Sequence, residues 1–209
     1  MSGAWIQTYS GVAFDLEHPT VDMVRPEDVA HALGNICRFT GHSSRLYTVA
    51  DHSIHLARYF LYDEIRRCRL FATTRTRHTT GSVVLRALAL QALCHDAHEA
   101  YYGDMSSPLK SLLPSYRALE ARGASVVRRA LWVPEDVHPL VVEADHRILL
   151  NEKDTFMGPA PRGWDDRGLR PLPIRPLRCS DNPAAEWAAL YGELRTACDH
   201  SMSVNKDRS

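Results

Sequence analysis

Histidines and acids interrupt the apolar stripes of three separate segments of this chain, and together they could bind a divalent metal ion. His95 and Asp96 follow an apolar run, and Glu99 continues the same helical spacing. His52 and Asp145 each stand among apolar residues at helical spacing in two other segments. Carboxylates buried without a partner are costly, so inward-facing acids should be paired or bound to a cation. Two histidines and two aspartates suit a divalent ion that keeps positions open for water.

Each of these residues also has an ordinary structural explanation. A single histidine on an apolar face, such as His52, is more often a hydrogen-bonded core residue than a metal ligand. Asp145 could form an ion pair with Arg147 or Arg128. The coincidence of inward polar groups on three helices favours a shared metal, but the residues alone leave both interpretations open.

The elements that must position these groups are helices. Apolar residues recur at helical spacing along the chain, without an internal repeat or a long β-branched alternation. We therefore expect an all-α bundle of five or six main helices, and residues 1–25 could add a short hairpin. The predicted helices cover residues 26 to about 38, 48–61, 83–101, 115–131, 139–156 and 184–198.

Two segments are predicted to be irregular. Residues 63–82 are rich in arginine and threonine, a composition typical of an exposed excursion. Residues 158–183 contain six prolines and indicate a long connection before the last helix. The length predicts one domain over 1–209, with an insertion at 63–82 and a Pro-rich C-terminal extension from 158.

Composition and charge exclude several classes of protein. The chain is 44% hydrophobic and 24% charged, which is typical of a globular domain. Its 25 basic residues balance 25 acidic ones, so no global basic field would hold long nucleic acid or an anionic membrane. The N-terminus lacks the features of a signal peptide, and no apolar run is long enough to cross a bilayer. We expect a cytoplasmic protein whose five cysteines are reduced thiols.

The order of the candidate ligands resembles a known family signature. His52, then His95-Asp96, then Asp145 is similar to the H…HD…D pattern of the HD-domain metal-dependent phosphohydrolases. The stretch from His95 to Lys110, with the segment Val-Ala-Asp-His-Ser around His52, resembles the small bacterial 5'-deoxynucleotidases and their prophage and phage relatives. The resemblance covers roughly residues 8–155.

The resemblance implies an HD bundle with one divalent ion, such as Mn, Co, Zn or Mg, between its second, third and fifth predicted helices. The implied ligands are His52, His95, Asp96 and Asp145. It also implies that Glu99 and Asp104 are catalytic acids that position or activate water and protonate the leaving oxygen. Without the resemblance, Glu99 could be a solvated helix residue and Asp104 a helix N-cap.

The resemblance further implies residues that bind the substrate. Arg38, fourteen residues before His52, matches the arginine that contacts phosphate. Phe39 stands where relatives place an aromatic residue beside the sugar, and Arg45 and Lys110 are candidates for further phosphate contacts. Arg38 could otherwise be a charge that stabilises a helix C-terminus, and Lys110 an exposed cation.

These features predict the metal-dependent hydrolysis of deoxynucleotides. The first expectation is release of phosphate from a 2'-deoxynucleoside 5'-monophosphate. A second is removal of triphosphate from a deoxynucleoside triphosphate, for which the arginines of 63–82 could supply further cations. A third, from a different class, is a nucleotide-binding HD scaffold without turnover. The expected partner is a small nucleotide, and we expect a homo-oligomer.

Overall fold

The computed structural model describes residues 3–70, 77–174 and 176–206, and within them the side chains of 3–61, 83–174 and 176–199. Its elements are β1 (Trp5–Gln7), β2 (Ala13–Asp15), α1 (Pro26–Leu33), α2 (Val49–Leu70), α3 (Arg77–Cys94), α4 (Glu99–Tyr102), α5 (Ser107–Leu112), α6 (Pro114–Ala130), α7 (Pro139–Phe156) and α8 (Pro183–Lys206). In this part of the chain, six helices have eight or more residues and the sheet is a single antiparallel pair of strands. The predicted all-α class is confirmed.

The N-terminal hairpin packs onto the segment that follows the His-Asp pair. β1 and β2 are antiparallel, and Ile6 is opposite Phe14. Phe14 is fully buried and stacks on Tyr101 with the ring centroids 3.9 Å apart. The short hairpin predicted within residues 1–25 is therefore present.

A capping box fixes the start of α2. The Thr48 hydroxyl accepts a hydrogen bond from the Asp51 main-chain N–H, and the Asp51 carboxylate accepts one from the Thr48 main-chain N–H. This reciprocal arrangement satisfies two donors that a helix start leaves open. It places His52 in the first turn of α2. The other Asp51 oxygen accepts the main-chain N–H of Ser180, which ties the C-terminal part of the chain to the same turn.

Two predicted helix boundaries around residues 63–82 were wrong. α2 continues past residue 61 to Leu70, and α3 already begins at Arg77 rather than at residue 83. Residues 62–70 contain no glycine or proline, and arginine is a good helix former, so nothing in the local sequence stops the helix. Residues 71–76, and the side chains of the whole predicted insertion, lie outside the described residues.

α3 ends at Cys94, not at residue 101 as predicted, because the chain turns at the His-Asp pair. Residues 95–98 form turns before α4, with the Glu99 N–H bonded to the Asp96 carbonyl at 2.9 Å. The His95 ring donates from Nδ1 to the Ala92 carbonyl at 2.7 Å, a local bond of the kind that competes with the helical ladder. The His95-Asp96 pair therefore lies in a turn.

The remaining boundaries follow local chemistry. α1 ends at Leu33, earlier than predicted, because residues 36–38 are extended and pair with residues 47–49. α6 and α7 lie where they were predicted, and Pro139 occupies the first turn of α7. α5 was not predicted, and α8 is longer than expected, since it reaches Lys206.

The last helix closes the core. α8 packs against α1, α2 and α3, and the fully buried Trp187 donates from its indole N–H to the Leu93 carbonyl at 3.1 Å. The proline-rich connection before α8 is irregular, as predicted, yet Leu172 and Leu177 in it are buried in the core. Cys37, Cys94 and Cys179 carry free thiols. Over the described residues, we find no helix with the length and apolarity needed to cross a membrane.

Candidate metal centre

Side chains that the sequence singled out meet between α2, the turn after α3, and α7. Ligand atoms of His52, His95 and Asp96 lie within 4.8 Å of one another, and Asp145 contacts both histidines. The Nε2 atoms of His52 and His95 lie 3.4 Å apart. One Asp145 oxygen is 3.2 Å from His52 Nε2 and 3.7 Å from His95 Nε2. One Asp96 oxygen is 3.8 and 3.0 Å from the same two atoms. Atoms bound about 2.1 Å from one ion are separated by about 3.0 Å at right angles and about 3.4 Å at the tetrahedral angle. Three of the five distances, at 3.0–3.4 Å, match those of a ligand set, and the other two, at 3.7 and 3.8 Å, are longer.

The other nitrogen of each imidazole is already bonded. Nδ1 of His52 contacts the Glu152 carboxylate at 2.5 Å, and Nδ1 of His95 contacts the Ala92 carbonyl at 2.7 Å. A carbonyl and an ionised carboxylate can only accept, so each Nδ1 carries the proton and each neutral ring presents the Nε2 lone pair. With both rings neutral, two lone pairs and two carboxylates face one another around a place for a cation; without an ion, an Nε2 proton bonds to Asp145 instead. Partners at the far nitrogen of this kind are usual for metal-bound histidines.

The charges of the cluster attract positive charge. Burial alone would lower the pKa of His95, but Asp96 and Asp145 beside it raise that pKa well above its usual value. Burial would raise the pKa of Asp145, but hydrogen bonds with His52 and His95 hold it well below its usual value. The imidazoles are buried while the Asp96 and Asp145 side chains are partly exposed, so the cluster opens to solvent on its carboxylate side.

Asp145 does not form the arginine pair that was the alternative to metal binding. Arg147 pairs with Glu143 at 3.3 Å, and Arg128 donates to the Glu135 carbonyl at 2.8 Å. The contacts of Asp145 are with the two histidines.

Glu152 is the central residue that the sequence interpretation missed. It is fully buried, and its carboxylate accepts hydrogen bonds from His52, from the Tyr47 hydroxyl at 2.9 Å and from Arg38 at 3.0 Å. Burial would raise its pKa, but Arg38 and His52 lower it. Its position was readable: it lies seven residues after Asp145, two helical turns along the same face of α7.

Arg38 lies between two acids of the centre. Besides its bond to Glu152, its guanidinium lies 4.0 Å from an Asp96 oxygen, and its Nε is buried without a hydrogen-bond partner among the described residues. The Arg38 main-chain N–H donates to the Tyr47 carbonyl at 2.9 Å, so the extended pairing before α2 fixes its place. It does not lie at a helix C-terminus, the alternative considered from sequence.

The two residues after Arg38 have a strained backbone. Phe39 and Thr40 both adopt positive φ, at 56° and 54°. Positive φ values are uncommon for residues other than glycine. They persist only where the surrounding structure imposes them, often at functional sites. The strain turns the Phe39 ring to within 6.2 Å of Trp164 and 5.5 Å of the Arg38 guanidinium. Trp164, in the irregular connection, is a second aromatic beside the site that the sequence interpretation missed.

The charges of the centre shift the pKa values of the two predicted catalytic acids, Glu99 and Asp104. Glu99 is buried, which rules out a solvated helix residue, and burial together with Asp96 and Asp104 raises its pKa well above the usual value. Burial also raises the pKa of Asp104, against the opposing effect of Arg38. Gly103, at φ 80°, ends α4 and turns the chain into Asp104. The N-cap of α5 is Ser106, so Asp104 does not have that role.

The two weaker phosphate candidates have different surroundings. Lys110 is not an exposed cation, because its ammonium lies 2.6 Å from a Glu120 oxygen and 3.7 Å from a Glu99 oxygen. Arg45 is exposed. Burial raises the pKa of the nearby Cys179 thiol, and the charge of Arg45 works against that rise. The structure thus brings Lys110 to the acids of the site and leaves Arg45 at the surface.

Comparison with known proteins finds relatives of similar length. The chain is 32% identical over 169 residues to the uncharacterized protein YfdR of Escherichia coli, a match that covers 81% of this chain and 78% of YfdR. It is 33% identical over 137 residues to an uncharacterized protein of Rhodobacter capsulatus, covering 64% of this chain and 61% of that protein. No protein-family model matches the chain.

Proposed function

The chain belongs to the protein family that includes YfdR of Escherichia coli, and we propose that it is a metal-dependent phosphohydrolase of deoxynucleotides. One observation carries the proposal: the Nε2 atoms of two histidines are 3.4 Å apart and lie 3.0–3.8 Å from the oxygens of two aspartates, with each far nitrogen already bonded to an acceptor. The preferred substrate is a 2'-deoxynucleoside 5'-monophosphate.

The metal would be held by side chains of three helical segments. Its ligands are His52, His95, Asp96 and Asp145. When bound, a divalent ion would lower the pKa of a water molecule and polarise a phosphoryl oxygen. Glu152 keeps the His52 ring in the tautomer and orientation that ligation needs.

Arg38 is the proposed anchor for the phosphoryl group. A guanidinium has five N–H donors, and Arg38 uses one nitrogen on Glu152 and leaves Nε unpaired among the described residues. Its place between the carboxylates of the centre lets it offset charge on the equatorial oxygens during an in-line displacement. Phe39 and Trp164, next to it, provide apolar surface for the sugar or the base.

Glu99 is the proposed proton donor to the leaving oxygen. Its raised pKa keeps the carboxyl protonated at a pH where an ordinary glutamate is ionised, as a general acid requires. As the bond from phosphorus to the 5' oxygen breaks, the Glu99 proton passes to that oxygen and the product leaves as the deoxynucleoside. Asp104 would orient the attacking water. Burial raises the pKa of Asp104, and the charge of Arg38 works against that rise.

The charge of the site favours one phosphate over three. Arg38 and Lys110 are both paired with glutamates, and Arg128, which lies beside His95, donates to main-chain carbonyls, so each of these three cations already has a partner within the protein. The arginines of 63–82, which could alter this balance, lie outside the described side chains. Triphosphate removal therefore stays the second candidate.

A panel of substrates tests the proposal. Metal-loaded protein is incubated with deoxynucleoside and ribonucleoside mono- and triphosphates, and the released phosphate, pyrophosphate or triphosphate is identified. We expect phosphate from deoxynucleoside monophosphates. Triphosphate release would select the second candidate. Nucleotide binding without any product, by protein shown to contain metal, would replace the enzyme with a non-catalytic scaffold.

A further inference from the structure

A second cluster of ionisable side chains lies beside the metal centre and contains its own positive charge. His98 Nε2 is 3.5 Å from a Glu120 oxygen, and ligand atoms of His98, Glu99 and Glu120 all lie within 4.8 Å of one another. The Lys110 ammonium sits among them, 2.6 Å from Glu120 and 3.7 Å from Glu99. The turn after Asp96 supplies two members, α5 the lysine, and α6 the second glutamate.

Two buried polar atoms of the cluster have no hydrogen-bond partner among the described residues. Glu99 is 4% exposed, and its Oε2 atom is buried without a hydrogen-bond partner among the described residues. In the same part of the structure, His98 Nδ1 is also buried and unpartnered. A buried carboxylate oxygen without a partner is costly, so these atoms mark a place that favours a cation. They are an observation separate from the proximity of the acids.

We propose that the Lys110 ammonium occupies a second cation site, formed by His98, Glu99 and Glu120, and that the protein therefore binds one metal ion where this donor set would otherwise bind two. Hydrolases with two metals place the ions about 3.5–4 Å apart and use both to stabilise charge. Here a tethered ammonium provides the second charge. The inference rests on the proposed metal centre for the first ion and goes beyond it at the second site, where the ionised form of Glu99 faces the ammonium.

Asp96 connects the two places electrostatically. Burial has the largest effect on both pKa values: it raises the pKa of Glu99 and lowers that of Lys110. The charge of Asp96 raises the pKa of both groups. Hydrogen bonding with Glu120 raises the pKa of Lys110, which keeps the ammonium charged despite burial. A protonated lysine competes directly with a metal ion for the same carboxylate oxygens.

Metal stoichiometry tests this inference without any assay of turnover. The full chain is loaded with Mn²⁺, freed of excess ion, and its bound metal is counted by mass spectrometry and by calorimetric titration. We expect one ion for the parent protein, two for Lys110→Ala and one for Lys110→Arg. The double variant Lys110→Ala, Glu120→Gln should return to one, because the new site loses a ligand.

With a metal-loaded parent, two results overturn the inference. Two ions in the parent, with one lost in Glu120→Gln, would make the cluster an ordinary metal site from which Lys110 is displaced. One ion in Lys110→Ala would mean that the cluster is no cation site. If Lys110→Ala does not fold, as judged by circular dichroism, Lys110→Gln serves in its place and must give the same count of two. A parent that binds no ion contradicts the proposed function instead, and the Lys110 variants still report on the second site.

Discussion

Two neighbouring clusters of this protein use similar residue types and differ in where their positive charge comes from. The proposed metal centre joins His52 and His95 to two aspartates, and no lysine or arginine lies among its four facing atoms in the described residues. The second cluster joins His98 to two glutamates and holds Lys110 between them. In the first, the Arg38 guanidinium lies at its edge, 4.0 Å from Asp96, whereas in the second an ammonium lies between the glutamates.

The difference also extends to how firmly the histidines are held. Both rings of the metal centre are fixed by a bond at Nδ1, one to Glu152 and one to a main-chain carbonyl. In contrast, Nδ1 of His98 is buried and has no partner among the described residues. Orientation by outer partners is a mark of evolved metal ligands. The comparison teaches that acids and histidines in proximity do not by themselves distinguish a metal centre.

The largest expected effect comes from the loss of one proposed ligand from the metal centre. His95→Ala should remove bound metal and reduce turnover about a thousandfold, because about 4 kcal/mol of charge stabilisation is lost. The matched control is His98→Ala, three residues away, which should keep the metal. Metal content and the rate of phosphate release measure both variants. Equal loss in the two would mean that the clusters are not distinct.

Replacement of the proton donor should separate chemistry from metal binding. Glu99→Gln keeps the four ligands and a similar shape, and should lower kcat on the order of a hundredfold with metal content unchanged. Glu143→Gln, at an exposed position of α7, is a control that should have the parent rate. A parent rate in Glu99→Gln would remove Glu99 from the reaction.

The outer partner of His52 should matter less than the ligands but still measurably. Glu152→Gln weakens the acceptor at Nδ1 and the hold on Arg38, so we expect metal affinity to fall about 10- to 100-fold. Tyr47→Phe removes only one hydrogen bond to the same carboxylate and should have a smaller effect. Calorimetric titration with Zn²⁺ gives both constants. Unchanged affinity in Glu152→Gln would show that His52 needs no such partner.

The smallest expected effect is on stability as a function of pH. The pKa of Glu99 is raised in the folded protein, so its contribution to stability is fully present below the ordinary value of 4.5 and is lost as pH rises through the raised pKa. Glu99→Gln cannot ionise, so in chelator-treated protein it should gain stability relative to the parent as pH rises over that range. Urea unfolding at a series of pH values measures the difference. A constant difference would contradict the raised pKa.

Local spacing predicted inward polar groups at His52, Asp96 and Asp145, and the family resemblance implied that they bind a metal. Contacts between segments were not readable from either. Asp145 was found because it interrupts an apolar stripe of α7, and Glu152 was missed although it continues that stripe. The pairing of Lys110 with Glu120 depends on how α5 turns back onto α6, and no periodicity encodes that turn. The end of α3 was missed for a related reason: the stripe continues at helical spacing past Cys94, while the His95 ring bonds back to the chain and a turn follows.

The position of Trp187 sets an order of events during synthesis of the protein. Its indole binds the carbonyl of Leu93, next to the His-Asp turn, yet it is made 42 residues after the last ligand, Asp145. At about 5–20 residues per second, a ribosome needs about 2–8 s for that interval. The nascent chain therefore contains every proposed metal ligand before Trp187 is made. A chain truncated in that interval keeps the proposed ligands and lacks the indole hydrogen bond to Leu93 beside them.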